Sequence, residues 1–500
     1  MRRIAVWAAL LLVCLTPAYA AAEAPSVRID SGLLVGAKDG AVTAYKGVPY
    51  AAAPAGALRW SPPAPVAPWS GARDATHFGA ICPQPSSPGA GALLAGNQPH
   101  SEDCLFLNVW TFDGARKAPV MVWVHGGAFR FGSGSSRLYD GAQFARDGVI
   151  MVSLNYRLGA LGVFAHPALT RAAGPNAPLG NYGLMDQVAA LRWVRRNIAA
   201  FGGDPNNVTV FGESAGGVSV LSLMTAPAAQ GLYAKAIVES GGGWEAEKSL
   251  GEEEQAGVSL TGLAADATPE ALRAVPVETL LNAPLSLAGS GPFVDGRFIT
   301  TSVTRAFAEG REARVPMIIG SNSYEASLMK LFKIPASAIA SRLPAAARTL
   351  YPGDDQQVAD AAFTDSVMGA PARWIAAKAS AQAPAWLYHF SYVAQARRGS
   401  DPGAPHGGEI LFVFGGWPQM ISSFATDQDR AMERLVHGCW TSFAKTGAPH
   451  CDGLDWPSYS PTSDRWMEFS QTSGAAPVSR KAQYDMLQQF VLPQTLAKSK

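Results

Sequence analysis

The pentapeptide Gly212-Glu213-Ser214-Ala215-Gly216 offers a serine hydroxyl between two glycines, in a turn too tight for side chains on either flank. An apolar, β-prone run (Val208, Val210, Phe211) leads into it, and a helix-compatible run over 218–224 leads out. A chain that reverses from strand to helix within a few residues leaves its central residue strained, with the hydroxyl exposed. The spacing therefore predicts Ser214 as a nucleophile on a strand-to-helix elbow.

A serine hydroxyl is a weak nucleophile and needs a base that is itself held by an acid. In an elbow arrangement the chain order is serine, carboxylate, histidine. Four histidines follow Ser214. His389 alternates with apolar residues in a strand-like run, His437 lies in an amphipathic helical pattern, and His450 sits beside Cys451 in a turn. His406, within Gly403-Ala404-Pro405-His406-Gly407-Gly408, follows a core-strand pattern in a glycine-rich loop, where a base is expected. Two carboxylates fit the acid: Glu325, after the strand pattern over 315–319, and Asp295, in an Asp-Gly pair of the kind that marks turns. An oxyanion needs backbone N–H groups, one from the residue after the nucleophile and others from a glycine-rich turn. Ala215 supplies the first; Gly127 and Ala128, in His125-Gly126-Gly127-Ala128-Phe129, are candidates for the rest.

These groups need a frame. Strand-like runs at 104–110, 119–124, 149–155, 236–239, 315–319 and 385–392 alternate with helical patterns at 184–198 and 429–445, and Arg465–Phe469 reads as the last strand. Continuous apolar strands separated by helices predict a mostly parallel sheet covered on both faces, an α/β fold. Residues 27–50 alternate around glycines and read as antiparallel strands at the sheet edge. Alanine-rich helical stretches at 245–287 and 324–383 read as insertions that cover the catalytic face.

The 500 residues are 48% hydrophobic and 16% charged, enough for a large core, and the net charge of +1 comes without a basic block. Charge thus recruits neither nucleic acid nor an anionic membrane. Arg2 and Arg3, an apolar run over 4–15 and Ala18-Tyr19-Ala20 read as a signal peptide over 1–20, leaving one domain over 21–500 and a periplasmic or secreted address. No later segment is apolar and long enough to span a membrane. Four cysteines remain after the signal, and their proximity favours Cys82 with Cys104 and Cys439 with Cys451. A loop of roughly 20 residues closed in this way contributes on the order of 3 kcal/mol in the chain-entropy account.

Four separated motifs in this order, Glu102-Asp103-Cys104-Leu105-Phe106-Leu107-Asn108-Val109, the His-Gly-Gly-Ala-Phe turn, the Ser214 elbow and the stretch from Gly403 to Phe414, resemble the type-B carboxylesterases. That family includes cholinesterases and bacterial para-nitrobenzyl esterases. The resemblance implies an α/β-hydrolase fold and cleavage of carboxylic esters. It assigns Ser214 as nucleophile, His406 as base and Glu325 as acid, with Gly127, Ala128 and Ala215 as oxyanion donors. It supports the Cys82–Cys104 disulfide and suggests ion pairs Arg59–Glu102 and Arg157–Asp186. The sequence departs from the family pattern at Ala326, where glycine usually follows the acid.

No metal or organic cofactor is implied, and the zinc pattern His-Glu-x-x-His does not occur. The partner expected is a small-molecule ester. Between Cys82 and Cys104 no aromatic residue stands where cholinesterases hold a choline cation by a cation–π contact, which argues against choline. Phe129, Phe131, Trp244 and Phe293 are candidates for an apolar pocket. Two alternatives share the fold: a catalytically silent adhesion or scaffold protein, and a hydrolase specialised for amides, carbamates, polyesters or toxin esters.

Overall fold

The computed structural model describes residues 24–86, 90–244, 247–284, 291–341, 343, 345–417 and 422–498. The signal peptide read over 1–20 lies outside them. In chain order the strands are β1 (Ser26–Ile29), β2 (Gly32–Val35), β3 (Ala37–Asp39), β4 (Val42–Pro49), β5 (Ala72–Asp74), β6 (Phe106–Phe112) and β7 (Ala118–Val124). They continue with β8 (Ile150–Leu154), β9 (Gly203–Glu213), β10 (Lys235–Glu239), β11 (Met317–Asn322), β12 (Ala385–Phe390), β13 (Arg465–Phe469) and β14 (Gly474–Pro477).

Eleven of these strands form one sheet in the order β14-β13-β12-β11-β10-β9-β7-β8-β6-β4-β3. The block from β13 to β8 is parallel throughout, and antiparallel pairs flank it on both sides. Alternation along each strand feeds two cores. Val120, Val122 and Val124 of β7 join Val208, Val210 and Val238 on one face, packed under the helices Tyr182–Asn197 and Ala215–Thr225. Met121 and Trp123 join Phe211 and Ile237 on the other, under the helix Asp427–Thr446. Trp123 meets Phe211 and Phe414 there at ring-centre distances of 4.8 and 5.0 Å. The long helix is delimited by its own sequence, with a reciprocal cap between Thr426 and Asp429 and left-handed Gly447 at its end.

Two expectations change. Arg465–Phe469 is not the last strand: β14 pairs antiparallel beyond it. Gly-Ala-Ala-Pro lacks the β-branched and aromatic residues that advertise a strand, and only an edge position tolerates Pro477. Residues 27–50 also divide, since β1 and β2 form a separate three-stranded sheet with β5 while β3 and β4 edge the large one. Cys82–Cys104 and Cys439–Cys451 are both disulfide-bonded. Both frame ion pairs form two-point contacts: Arg59 Nε and Nη2 to Glu102 at 2.8 and 2.5 Å, Arg157 Nε and Nη2 to Asp186 at 2.8 and 2.7 Å. Among the described residues no helix is long and apolar enough to cross a membrane.

Candidate active site

Parallel register brings the carboxyl ends of β9, β10 and β11 side by side, with Glu213 opposite Glu239 and Glu239 opposite Gly320. Ser214 follows β9 directly, at φ 57° and ψ −123°, and caps the helix Ala215–Thr225. Its amide donates to the Glu239 carbonyl at 2.9 Å, which fixes the elbow to β10. The flanking glycines are demanded by space as well as by the turn. A Cβ on Gly216 would sit 2.0 Å from the Val124 carbonyl oxygen, and one on Gly212 would sit 2.6 Å from it. Gly126 lies as close, 2.7 Å in the same sense from the Glu213 carbonyl oxygen and 3.1 Å from Ser214 Cβ.

After β7 the chain folds back on itself at Gly127 (φ 104°), Ala128 (φ 55°) and Phe129 (φ 56°). Two successive non-glycine residues in the left-handed region mark a turn whose strain the surrounding fold must hold. The Gly127 carbonyl accepts from the amides of Arg130 and Phe131, both at 2.9 Å. Among the described residues none accepts from the amides of Gly127, Ala128 or Ala215.

His406 is carried by the loop after β12, and that loop is stitched to the segment after β11. Tyr324 N donates to Ala404 O at 2.9 Å, Asn322 Nδ2 to Pro405 O at 2.8 Å, and His406 N to Ser327 Oγ at 2.9 Å. Its Nδ1 lies 2.5 Å from Glu325 Oε2. Glu325 is fully buried, and its other oxygen accepts from Ser240 Oγ at 2.6 Å and Asn322 N at 2.7 Å, so the carboxylate has one orientation. His406 Nε2 faces Glu213 Oε1 at 3.0 Å, without a partner that meets hydrogen-bond geometry. Burial works against the charged imidazolium, but the carboxylates of Glu213 and Glu325 outweigh it and hold His406 well above its ordinary pKa.

Asp295, the other candidate acid, is committed elsewhere. Its oxygens accept from Asn181 Nδ2 and from the amides of Arg297, Phe298 and Ile299 at 2.6 to 3.0 Å, as the Asp-Gly turn suggested. The residue-level reading missed two buried carboxyls. Glu239 accepts from Trp440 Nε1 at 2.8 Å, and burial pushes its pKa up to about 8. Glu409 accepts from Asn322 Nδ2 at 2.5 Å, and burial, followed by the nearby carboxylates, raises it well above the usual range. Glu409 stands three residues after His406, the one local signal that might have exposed it.

Ser214, His406, Glu213, Gly127 and Ala128 share one cavity of about 640 Å3. Its walls come from Gly91, Leu93 and Leu94 in the first disulfide loop, and from Leu328, Leu331 and Phe332 in the insertion after β11. Of the four aromatic residues expected in a pocket, Phe131 lines this cavity. The other three are spent on packing, which corrects that expectation. Phe129 turns toward Tyr156, Trp244 packs edge-on against Trp374, and Phe293 fills the space over Gly180. No group of three or more metal-ligating side chains occurs among the described residues.

The chain matches the model of the carboxylesterase family over residues 23–351 and 346–487. It is 38% identical to the para-nitrobenzyl esterase of Bacillus subtilis (strain 168) over 468 residues, 87% of this chain and 92% of the relative. It is 35% identical to the fumonisin B1 esterase of Sphingopyxis macrogoltabida, over 89% of this chain and 86% of that one, and 33% identical to human cocaine esterase, over 84% and 82%. A solved para-nitrobenzyl esterase superimposes with a TM-score of 0.79 at 32% identity, covering 92% of this chain and 99% of the other. A thermophilic para-nitrobenzyl esterase gives 0.81 at 33%, with the same coverage.

Proposed function

Since the chain belongs to the carboxylesterase family and hydrolyses carboxylic esters as a serine hydrolase, we propose that Ser214 is its nucleophile, His406 its general base and acid, and Glu325 the carboxylate that orients the imidazole. Ser214 Oγ attacks the ester carbonyl while His406 Nε2 takes its proton. The carbonyl oxygen becomes an oxyanion that accepts from the amides of Gly127, Ala128 and Ala215. Collapse expels the alcohol, which leaves with the proton from His406. Water, deprotonated by the same imidazole, then releases the acid and restores Ser214. Each amide donor is worth on the order of a hundredfold in rate.

The observation that carries this assignment is the single cavity shared by Ser214, His406 and the two turn amides, with the imidazole tied from behind to a buried, doubly anchored Glu325. Engaging Ser214 redirects Nε2 from Glu213, and catalytic hydrogen bonds of this kind tighten when substrate binds. The test is kcat/KM on p-nitrophenyl esters from acetate to palmitate, with Ser214→Ala beside the parent. The variant is expected to lose ~10⁴-fold or more in kcat with its thermal unfolding unchanged. Near-parent activity in it overturns the assignment.

We infer further that one catalytic domain follows a cleaved signal peptide and works outside the cytoplasm. The two disulfides support an oxidising compartment. The para-nitrobenzyl, fumonisin B1 and cocaine esterases among its relatives support a substrate larger than a simple acetate, and so does the size of the cavity.

A further inference from the structure

Four arginines are buried among the described residues: Arg59, Arg130, Arg157 and Arg373. Three are matched to carboxylates in two-point contacts. Arg59 meets Glu102, Arg157 meets Asp186, and Arg373 meets Asp464 through Nε and Nη2 at 2.7 and 2.6 Å while its Nη1 reaches Asp485. Arg130 has no such match. Among the described residues its Nη2 donates only to the carbonyls of Ala283 and Leu281, at 3.2 and 3.4 Å, and its buried Nη1 has no hydrogen-bond partner. The side chain is only 8% exposed, and no described carboxylate lies within ion-pair distance. Burial alone lowers its pKa, without an opposing anion.

A guanidinium removed from water and left unpaired is costly, and proteins keep such groups where an anion arrives to meet them. Arg130 lines the cavity that holds Ser214 and His406, two residues after the oxyanion turn. Five leucines, two phenylalanines and an isoleucine are among the other lining residues, and next to such apolar surface a charged hydrogen bond is strengthened. We propose that Arg130 recognises a carboxylate carried by the ester substrate, so that the preferred substrates are esters bearing a second, free acid group on either the acyl or the alcohol side. This rests on the esterase assignment above and names the class of ester that the site takes.

Two matched pairs test it. On the acyl side, the mono-4-nitrophenyl ester of adipic acid is compared with 4-nitrophenyl hexanoate. On the alcohol side, 4-(butanoyloxy)benzoate is compared with its methyl ester. Each is measured with the parent, with Arg130→Gln, which keeps an N–H donor for the Ala283 carbonyl but removes the charge, and with Arg130→Lys. In at least one pair the anionic-to-neutral ratio of kcat/KM is expected to fall at least tenfold in Arg130→Gln, mainly through KM, and to recover in part in Arg130→Lys. The pair that responds identifies the side that carries the acid. Equal losses on both members of both pairs, or no loss, overturn the proposal and leave Arg130 as a prop for the segment around Ala283.

Adipate itself supplies a readout that needs no turnover. It is expected to raise the melting temperature of the parent and not of Arg130→Gln. Hydrolysis of the anionic and the neutral esters alike without any dependence on Arg130 removes this inference and keeps the esterase assignment. Arg130-dependent stabilisation by adipate, in a protein that cleaves no ester, keeps the anion site and removes the assignment.

Discussion

The frame and the catalytic end of the sheet treat buried charge in opposite ways. In the frame each buried cation meets its own carboxylate: Arg157 is joined at two points to Asp186 of the helix Tyr182–Asn197, and Arg59 and Glu102 brace the first disulfide loop. Near the ends of the parallel strands four buried glutamates, Glu213, Glu239, Glu325 and Glu409, lie close enough to act on one another, and Glu213 and Glu325 face the imidazole of His406. Pairing in the frame neutralises charge without moving protons. At the site protons move instead: burial, with neighbouring carboxylates adding to it, raises the pKa of Glu239 and of Glu409, and the carboxylates of Glu213 and Glu325 make His406 a stronger base. Charge in the frame therefore reports on stability, and charge at the site reports on pH.

The sharpest break of this contrast is Glu325→Gln. It is expected to lower kcat by roughly 10²- to 10⁴-fold, as loss of the orienting carboxylate does in other triads, while thermal unfolding changes little. Asp295→Asn should do the reverse, lowering the melting temperature with kcat retained, and a crippled kcat in that variant would transfer the role of acid. Arg157→Met comes next. Leaving Asp186 buried and unpaired is expected to cost about 3–5 kcal/mol, read as a lower urea midpoint, with kcat per folded molecule unchanged.

Smaller effects separate the glutamates. Removing the Glu213 charge with Gln takes away one of the two carboxylates that raise His406, so the imidazole pKa falls. Catalysis needs the neutral ring, and the acid limb of the kcat/KM profile should move to lower pH. An unmoved limb would mean that Glu325 alone sets the base. Glu239→Gln should act on stability through its pH dependence. The folded protein keeps a proton on Glu239 up to about pH 8 that the unfolded chain releases near its ordinary value of 4.5, so stability falls as pH rises between them. In the Gln variant the melting temperature should decline less between pH 5.5 and 8.5.

The parts of the site that could be read in the sequence are those whose chemistry is local. The Ser214 elbow and the Gly126-Gly127-Ala128 turn announce themselves through small residues beside strands, and His406 through its glycine-rich loop. The choice between Glu325 and Asp295 was open on spacing alone, because both follow plausible turns. The structure separates the two by their partners: amides around Asp295 use its oxygens, whereas Glu325 faces His406. Glu239 and Glu409 stayed hidden for a different reason: residues 213, 239, 325 and 409 meet only because parallel register aligns strand ends that are distant in the chain. Of the four aromatic residues read for a pocket Phe131 lines the cavity, while a large ring near a core is claimed first by packing, as Phe293 shows over Gly180. In β14 small residues carry no pattern, and the edge of the sheet accepts them anyway.

The helix Ala90–Ala95 lies within the loop closed by Cys82 and Cys104, and the loop places Leu93 and Leu94 against the cavity. None of the proposed reacting groups belongs to this segment, and the opposite wall, from Leu328 to Phe332, is likewise outside the proposed triad. The shape of the cavity is thus encoded in modules that can be shuffled while the chemistry stands still. A combinatorial library confined to 90–95 and 328–332 can explore new substrate ranges on an unaltered catalytic engine, and natural drift has had the same route open to it.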